Sequence, residues 1–155
     1  MWFSRKQAVK VPRQDAAGGA ATVSKQVTTK SRGDAAEAAA RAFLVGAGLR
    51  WIESNYRTPG RGGGEIDLVM QAPDGTLVFV EVRYRSTATH GGAGASISMV
   101  KQRRIIFAAA HYLMRFASSP PCRFDVVLVH GQFVGEKSFQ PALALEWLPA
   151  AFDAS

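Results

Sequence analysis

Two short segments constrain this chain more than any others. Glu65-Ile66-Asp67-Leu68-Val69-Met70 and Leu77-Val78-Phe79-Val80-Glu81-Val82-Arg83-Tyr84 lie on either side of Pro73-Asp74-Gly75-Thr76. β-branched, aliphatic and aromatic residues flank a strong turn sequence, which predicts two strands joined as an antiparallel hairpin. Side chains alternate along a strand, so Glu65, Asp67 and Val69 are expected on one face and Ile66, Leu68 and Met70 on the other. On the second strand Phe79, Glu81, Arg83 and Arg85 share a face opposite Val78, Val80, Val82 and Tyr84. A turn centred on Asp74 sets Asp67 directly across from Glu81, and Glu65 across from Arg83.

That register has an energetic consequence. Two carboxylates opposed at ~5 Å repel and destabilise a sheet, and apolar neighbours at Ile66, Leu68, Val80 and Val82 make the setting partly buried and the cost larger. Three compensations are open: a hard divalent cation, a basic side chain, or a raised pKa on one carboxyl. Paired carboxylates suit Mg²⁺ or Mn²⁺, which activate water for phosphodiester hydrolysis. The plain alternative is a salt-bridged hairpin in which Glu65–Arg83 and an Arg85 contact neutralise the pair.

The rest of the chain places this hairpin in an α/β domain. The formal net charge is +7. Residues 1–33 hold Arg5, Lys6, Lys10, Arg13, Lys25, Lys30 and Arg32 against Asp15 alone, so that segment carries +6 and the remainder +1. The leader, rich in Ala, Gly, Thr and Lys, cannot repay its ordering entropy, and residues 1–32 are expected to form a disordered basic extension adding polyanion affinity. It lacks the apolar centre of a secretory signal, although its acid-poor composition also suits an organelle transit peptide.

Residues 33–155 then form the domain. Folding is expected to start near Asp34, with a helix over Ala35 to Ala47 that presents Ala39, Phe43 and Ala47 and stops at Gly46 and Gly48. A strand is expected from Leu49 to Tyr56 and a Gly/Arg/Pro loop from Thr58 to Gly63. A second helix is expected over Ser98 to Phe116, with Ile106, Ala109, Ala110 and Leu113 as its apolar stripe. Phe124 to Val129 reads as a buried strand, and Leu143 to Phe152 as either strand or helix. The order is αβββαβ, with a mixed sheet flanked by helices.

Other residues have bland readings that compete with functional ones. Asn55, Arg57 and Arg61 border the Gly-rich loop, either as phosphate contacts or as a solvated surface. Lys101, Arg103 and Arg104 load the start of the second helix, where free N–H groups favour anions; a solvated face is the alternative. Gly91-Gly92-Ala93-Gly94 has no lysine at the spacing of a nucleotide loop. His90, His111 and His130 have no metal-ligand spacing, and His90 is the one to consider as a base or substrate contact. Asp125 is expected to accept hydrogen bonds from backbone or arginine, Arg123 included. Trp51 reads as core, although Trp51 and Tyr56 would also stack on bases, and the lone Cys122 reads as a small buried hydrophobe. No apolar run reaches the ~20 residues of a membrane span, so a cytoplasmic location without a membrane partner is expected.

At Gly64-Glu65-Ile66-Asp67-Leu68-Val69, Phe79-Val80-Glu81-Val82-Arg83-Tyr84-Arg85, Lys101 and Cys122-Arg123-Phe124-Asp125-Val126-Val127 the chain resembles the YraN family of bacterial proteins, from about Gly33 to Phe152. The resemblance implies a restriction-endonuclease-like fold similar to the PD-(D/E)xK nucleases and Holliday-junction resolvases. It matches Asp67 to the PD aspartate, Glu81 to the acidic residue of the (D/E)xK element, and Glu37 to a glutamate on the first helix, so that Asp67, Glu81 and Glu37 would hold Mg²⁺ or Mn²⁺. The lysine of that element is replaced by Arg83, which stays protonated and cannot exchange protons near neutral pH. Lys101 would substitute from the helix side.

The expectation is a nuclease-like protein acting on structured or branched nucleic acid, DNA above RNA, with Glu37, Asp67, Glu81, Arg83 and Lys101 as catalytic residues and Arg57, Arg61, Arg103 and Arg104 as nucleic-acid contacts. The alternatives are a non-catalytic nucleic-acid-binding module of the same fold and a protein-interaction domain, both with salt-bridged carboxylates. A second copy of the chain is an open partner.

Overall fold

Strand β2 (Glu65–Gln71) and strand β3 (Leu77–Arg85) form the expected hairpin, with Leu68 opposite Val80, Val69 opposite Phe79, Met70 opposite Val78 and Gln71 opposite Leu77. This is the register of a turn centred on Asp74. Asp74 Oδ1 accepts the Thr76 N–H at 3.0 Å, and Gly75 takes φ 90°, a conformation that favours glycine. The computed structural model describes residues 28–85, 97–131 and 144–155. The Gly91–Gly94 loop, His90 and the basic leader up to residue 27 lie outside the described residues.

Around the hairpin the sheet runs β1-β2-β3-β4-β5, adding β1 (Arg50–Arg57), β4 (Cys122–His130) and β5 (Ala144–Phe152). The β3–β4 pair is parallel and the other three pairs are antiparallel, giving the mixed sheet of an α/β protein. The parallel pair is linked through helix α2 (Met99–Leu113), as a parallel connection requires. Helix α1 (Thr29–Gly46) precedes β1. The C-terminal segment, ambiguous in sequence, is thus a strand, with Pro149 where an edge tolerates the missing donor.

The two helices cover opposite faces. Ala36, Ala40 and Leu44 of α1 pack with Leu68, Met70, Val78, Val80, Val127 and Val129. On the other side Ile105, Ala108, Ala109 and Tyr112 of α2 pack with Ile66, Val69, Leu77, Phe79 and Phe124. Phe79 is the largest fully buried side chain and meets Tyr112 edge-on at 5.7 Å.

Several expectations are corrected. Helix α1 starts at Thr29 because the Thr28 hydroxyl caps it, accepting the Ser31 N–H at 3.1 Å; residues 29–32 therefore belong to the helix. Its buried stripe is Ala36, Ala40 and Leu44, which leaves Phe43 exposed. On α2 the stripe is turned by one residue, to Ile105, Ala108, Ala109 and Tyr112, with Ala110 exposed; the ring of Tyr112 reaches Phe79 and Tyr56. Trp51 is exposed on the edge strand, where the Arg41 guanidinium lies 4.8 Å over its ring. Cys122 begins β4 and is exposed.

The most informative departure lies at Asp67. Ile66 packs beneath α2, whereas Leu68 and Met70 pack beneath α1, so the expected common face of Ile66, Leu68 and Met70 is broken at the residue between the first two. The β2–β3 ladder also ends at Leu68–Val80. The cause is the Asp67 carboxylate, whose Oδ2 accepts the Val82 N–H at 2.8 Å, a donor that would otherwise serve the ladder. Strand β1 follows the same break: Ser54 pairs with Leu68 and Tyr56 with Ile66, while Asn55, facing Asp67 between them, adopts φ 54°.

Candidate acidic site

Strands β2 and β3 part at Asp67, and the gap between them is where the acidic residues meet. Asp67 and Glu81 are both buried, 9% and 8% exposed. Glu81 points to the α2 side of β3, as alternation predicts, and Lys101 in the first turn of α2 places its Nζ 3.3 Å from Glu81 Oε1. The α2 N-terminus is fixed by Ser98, whose hydroxyl accepts the Lys101 N–H at 3.3 Å. Helix α2 also sits against the hairpin through Gly64: a Cβ there would fall 1.9 Å from the Arg104 carbonyl oxygen. Gly64 thus allows the close approach of α2 to the start of β2.

Electrostatically, the pair shows two of the three open compensations. Burial, followed by the charge of Asp67, pushes the Glu81 carboxyl up to about 8, against the pull of Lys101. Burial also raises Asp67, opposed by the Val82 N–H and by Glu81, whose carboxyl lies within hydrogen-bonding reach. Both carboxyls are thus held above their ordinary values. Glu81 Oε2 is buried and has no hydrogen-bond partner among the described residues, an uncommon state for a carboxylate oxygen.

Glu81, Arg83, Ser98 and Lys101 line one cavity of about 300 Å³ on this side. Glu37 lines a different cavity, of about 210 Å³, with Asp34, Arg41, Ser54 and Asn55 on the α1 side. Glu37 still lies in the field of Asp67: burial and then the Asp67 charge raise its pKa, and the Asn55 side chain, within hydrogen-bonding reach, lowers it. Asp67 lines neither cavity, but its charge bears on both Glu81 and Glu37.

The expected Glu65–Arg83 pairing does not form, because the ladder has already ended. Glu65 instead binds Arg57 across the β1–β2 pair at 3.0 Å. Arg61, Arg103 and Arg104 are exposed and apart from the carboxylates. The Thr58–Gly64 loop closes on itself: the Thr58 hydroxyl accepts the Gly64 N–H at 2.8 Å, and the Thr58 N–H reaches the Gly64 carbonyl at 3.1 Å.

Asp125 behaves as expected of a structural carboxylate. Fully buried, it accepts from Arg123 at 3.0 Å, the Trp147 ring N–H at 2.9 Å and the Ala150 N–H at 2.9 Å. His111 is structural too, hydrogen-bonded to Tyr56. The residue undervalued from sequence is Asn55; only the unusual tolerance of asparagine for positive φ could have singled it out.

The donor chemistry admits a hard cation. Among the described residues no group of three or more His, Cys, Asp and Glu side chains converges closely enough to enclose a metal ion. Two carboxylates with an unpartnered oxygen suit Mg²⁺, which keeps much of its water and takes one or two protein carboxylates. No helix among the described residues is long and apolar enough to cross a membrane.

A sequence profile of uncharacterised protein family UPF0102 matches residues 36–129. A UPF0102 protein of Polaromonas naphthalenivorans (strain CJ2) is 81% identical over the full length of both chains, and one of Polaromonas sp. (strain JS666) is 71% identical over the same span. A UPF0102 protein of Albidiferax ferrireducens is 61% identical over 127 residues, covering 82% of this chain and 91% of the relative. The matched segment contains Glu37, Asp67, Glu81 and Lys101, and the chain belongs to the UPF0102 family, which is the YraN family.

Proposed function

We propose that this protein is nuclease-like, hydrolysing phosphodiester bonds of structured or branched nucleic acid, DNA above RNA, with Mg²⁺ or Mn²⁺. The observation that carries the reading is the buried, unpartnered Glu81 Oε2 beside Asp67, in a cavity whose other polar residues include Lys101 and Arg83. The helix–sheet order, the parting of β2 and β3 at Asp67 and the Asp67/Glu81/Arg83 pattern support the resemblance to the PD-(D/E)xK nucleases. Asp67 and Glu81 would hold the ion, with Glu37 adding negative charge from α1. Bound there, a divalent cation supplies an activated water and neutralises charge on the phosphate.

The chain's own groups divide the remaining work. Arg83 offers a fixed positive charge and planar donors to a phosphate, and does not exchange protons near neutral pH. Lys101 neutralises Glu81 in the ion-free protein and turns to the phosphate when Glu81 is otherwise engaged. Arg61, Arg103 and Arg104, exposed around the site, position the nucleic-acid backbone, while Arg57 does so at the expense of its Glu65 pair.

The test is cleavage of duplex, flap, four-way-junction and RNA substrates by purified protein with Mg²⁺ or Mn²⁺. Activity lost in Glu81→Ala supports the reading, and equal activity in that variant rejects the assignment. A second reading, a non-catalytic nucleic-acid-binding module, is favoured by the Lys101–Glu81 contact, which already gives one carboxyl a basic partner. It predicts binding without cleavage, lost when residues 1–27 are removed.

A further inference from the structure

Asn55 has a backbone that nothing in its own strand explains. It sits within β1 at φ 54°, in the left-handed region that side-chain-bearing residues enter at a steric cost. Its register position faces Asp67, the residue at which β2 loses its ladder to β3. Residues held in such conformations persist where the surroundings over-determine them.

A kink alone would be served by glycine, which enters this region freely. Asparagine brings an amide, and the residue lines the α1-side cavity with Glu37, Asp34, Arg41 and Ser54. It lies within hydrogen-bonding reach of the Glu37 carboxylate. Glu37 is half-buried in the negative field of Asp67, and Asn55, itself exposed, supplies the donor that opposes that field.

We propose that Asn55 is a positioning residue: its left-handed backbone aims the side-chain amide at Glu37 and holds that carboxylate on the α1 side of β1 and β2, beside the point where β2 parts from β3. The positioning itself belongs to the ion-free protein. Only its consequence for cation binding rests on the proposed function. If that reading holds, Asn55 acts as an outer partner of the acidic site, of the kind whose removal lowers metal affinity about ten-fold or more.

The test compares the full chain with Asn55→Gly, which keeps the backbone and removes the donor, and Asn55→Asp, which tolerates the backbone and replaces the donor with an anion. Although Asn55 is exposed, its side-chain NH₂ resonances in the ion-free protein are expected to exchange with solvent more slowly than those of a free asparagine amide and to lose that slowing in Glu37→Ala. The Glu37 carboxyl carbon resonance should move in Asn55→Gly although the melting temperature does not fall, and should move further in Asn55→Asp. Free exchange of the Asn55 NH₂ in the parent protein, or an unmoved Glu37 resonance in Asn55→Gly, overturns the proposal.

Mn²⁺ titration of the same proteins is the second arm, with affinity expected to drop about ten-fold in Asn55→Gly. Equal affinity in the two proteins overturns the claimed consequence. If the parent protein binds no Mn²⁺, the metal reading fails while the exchange and carboxyl data still decide the role of Asn55.

Discussion

Replacing Glu81 with glutamine should stabilise the protein in mildly alkaline buffer, although the substitution removes a salt-bridge partner. The Glu81 carboxyl, ordinarily at 4.5, is held at about 8 by burial and by Asp67. A carboxyl whose folded pKa is raised keeps a proton that the unfolded chain has released. Its stabilising contribution is therefore complete at low pH and is lost as pH rises from the unfolded value through the folded one. Between pH 5 and pH 8 the folded state should lose stability at about 1.4 kcal/mol per pH unit from this group, or about 3 kcal/mol by pH 7. Lys101 stands half-exposed, so its attraction is screened; it is already contained in that value and leaves it well above the ordinary range.

Glu81→Gln is close in shape and carries no ionisable proton. Its stability should match the parent at pH 5 and exceed it at pH 8 by about 3–4 kcal/mol, on the order of 10 °C in melting temperature. Urea unfolding followed by tryptophan fluorescence in EDTA, from pH 5 to 8.5, measures both. A parent protein whose stability is level or rises with pH, with Glu81→Gln weaker throughout, would mean that the carboxylates are a stabilising salt-bridge network. The reasoning from a strained acidic pair would then be wrong.

Lys101→Met should be nearly neutral at pH 5, where Glu81 is protonated, and destabilising by about 1–2 kcal/mol at pH 8, where the buried carboxylate loses its cation; the same unfolding series reads this as a pH-dependent difference. Gly64→Ala should cost about 2–3 kcal/mol or more, because its Cβ meets the Arg104 carbonyl at 1.9 Å and backbone cannot yield as a flexible side chain does. Its urea midpoint should fall, and an unchanged midpoint would show that α2 is not seated through this contact. Asp125→Ala should cost about 2–3 kcal/mol, leaving the part-buried Arg123, Trp147 and Ala150 hydrogen bonds without their acceptor; calorimetry measures it, and a loss under 1 kcal/mol would contradict the structural role of Asp125.

The hairpin was legible because its information is local. An Asp-Gly turn and two runs of alternating character define the strands, and the turn fixed the register that the structure shows. The Phe79/Glu81/Arg83 face followed from the same pattern, and with it the approach of Lys101 from the α2 side. What was not legible depends on long-range contacts. Alternation could not foresee the inversion at Asp67, because it comes from a side chain taking the Val82 N–H. The stripes of α1 and α2 were displaced by one position or more, since in alanine-rich helices hydrophobic periodicity is shallow and packing against Leu68 or Phe79 chooses the face. Glu37 was identified by resemblance alone, and its place in a second cavity depends on how α1 packs on β1 and β2, which lie far from it in sequence.

The central claim is that Asp67 and Glu81 form a cation site and that the chain is more than a salt-bridged scaffold. Calorimetric titration of the purified full-length protein with Mn²⁺ at pH 8 tests it most directly, alongside Asp67→Ala. Saturable binding to the parent protein, weakened at least ten-fold in Asp67→Ala, is the predicted result. No binding, or equal binding by the two proteins, would contradict the claim and leave Lys101 as the counter-ion that Glu81 requires.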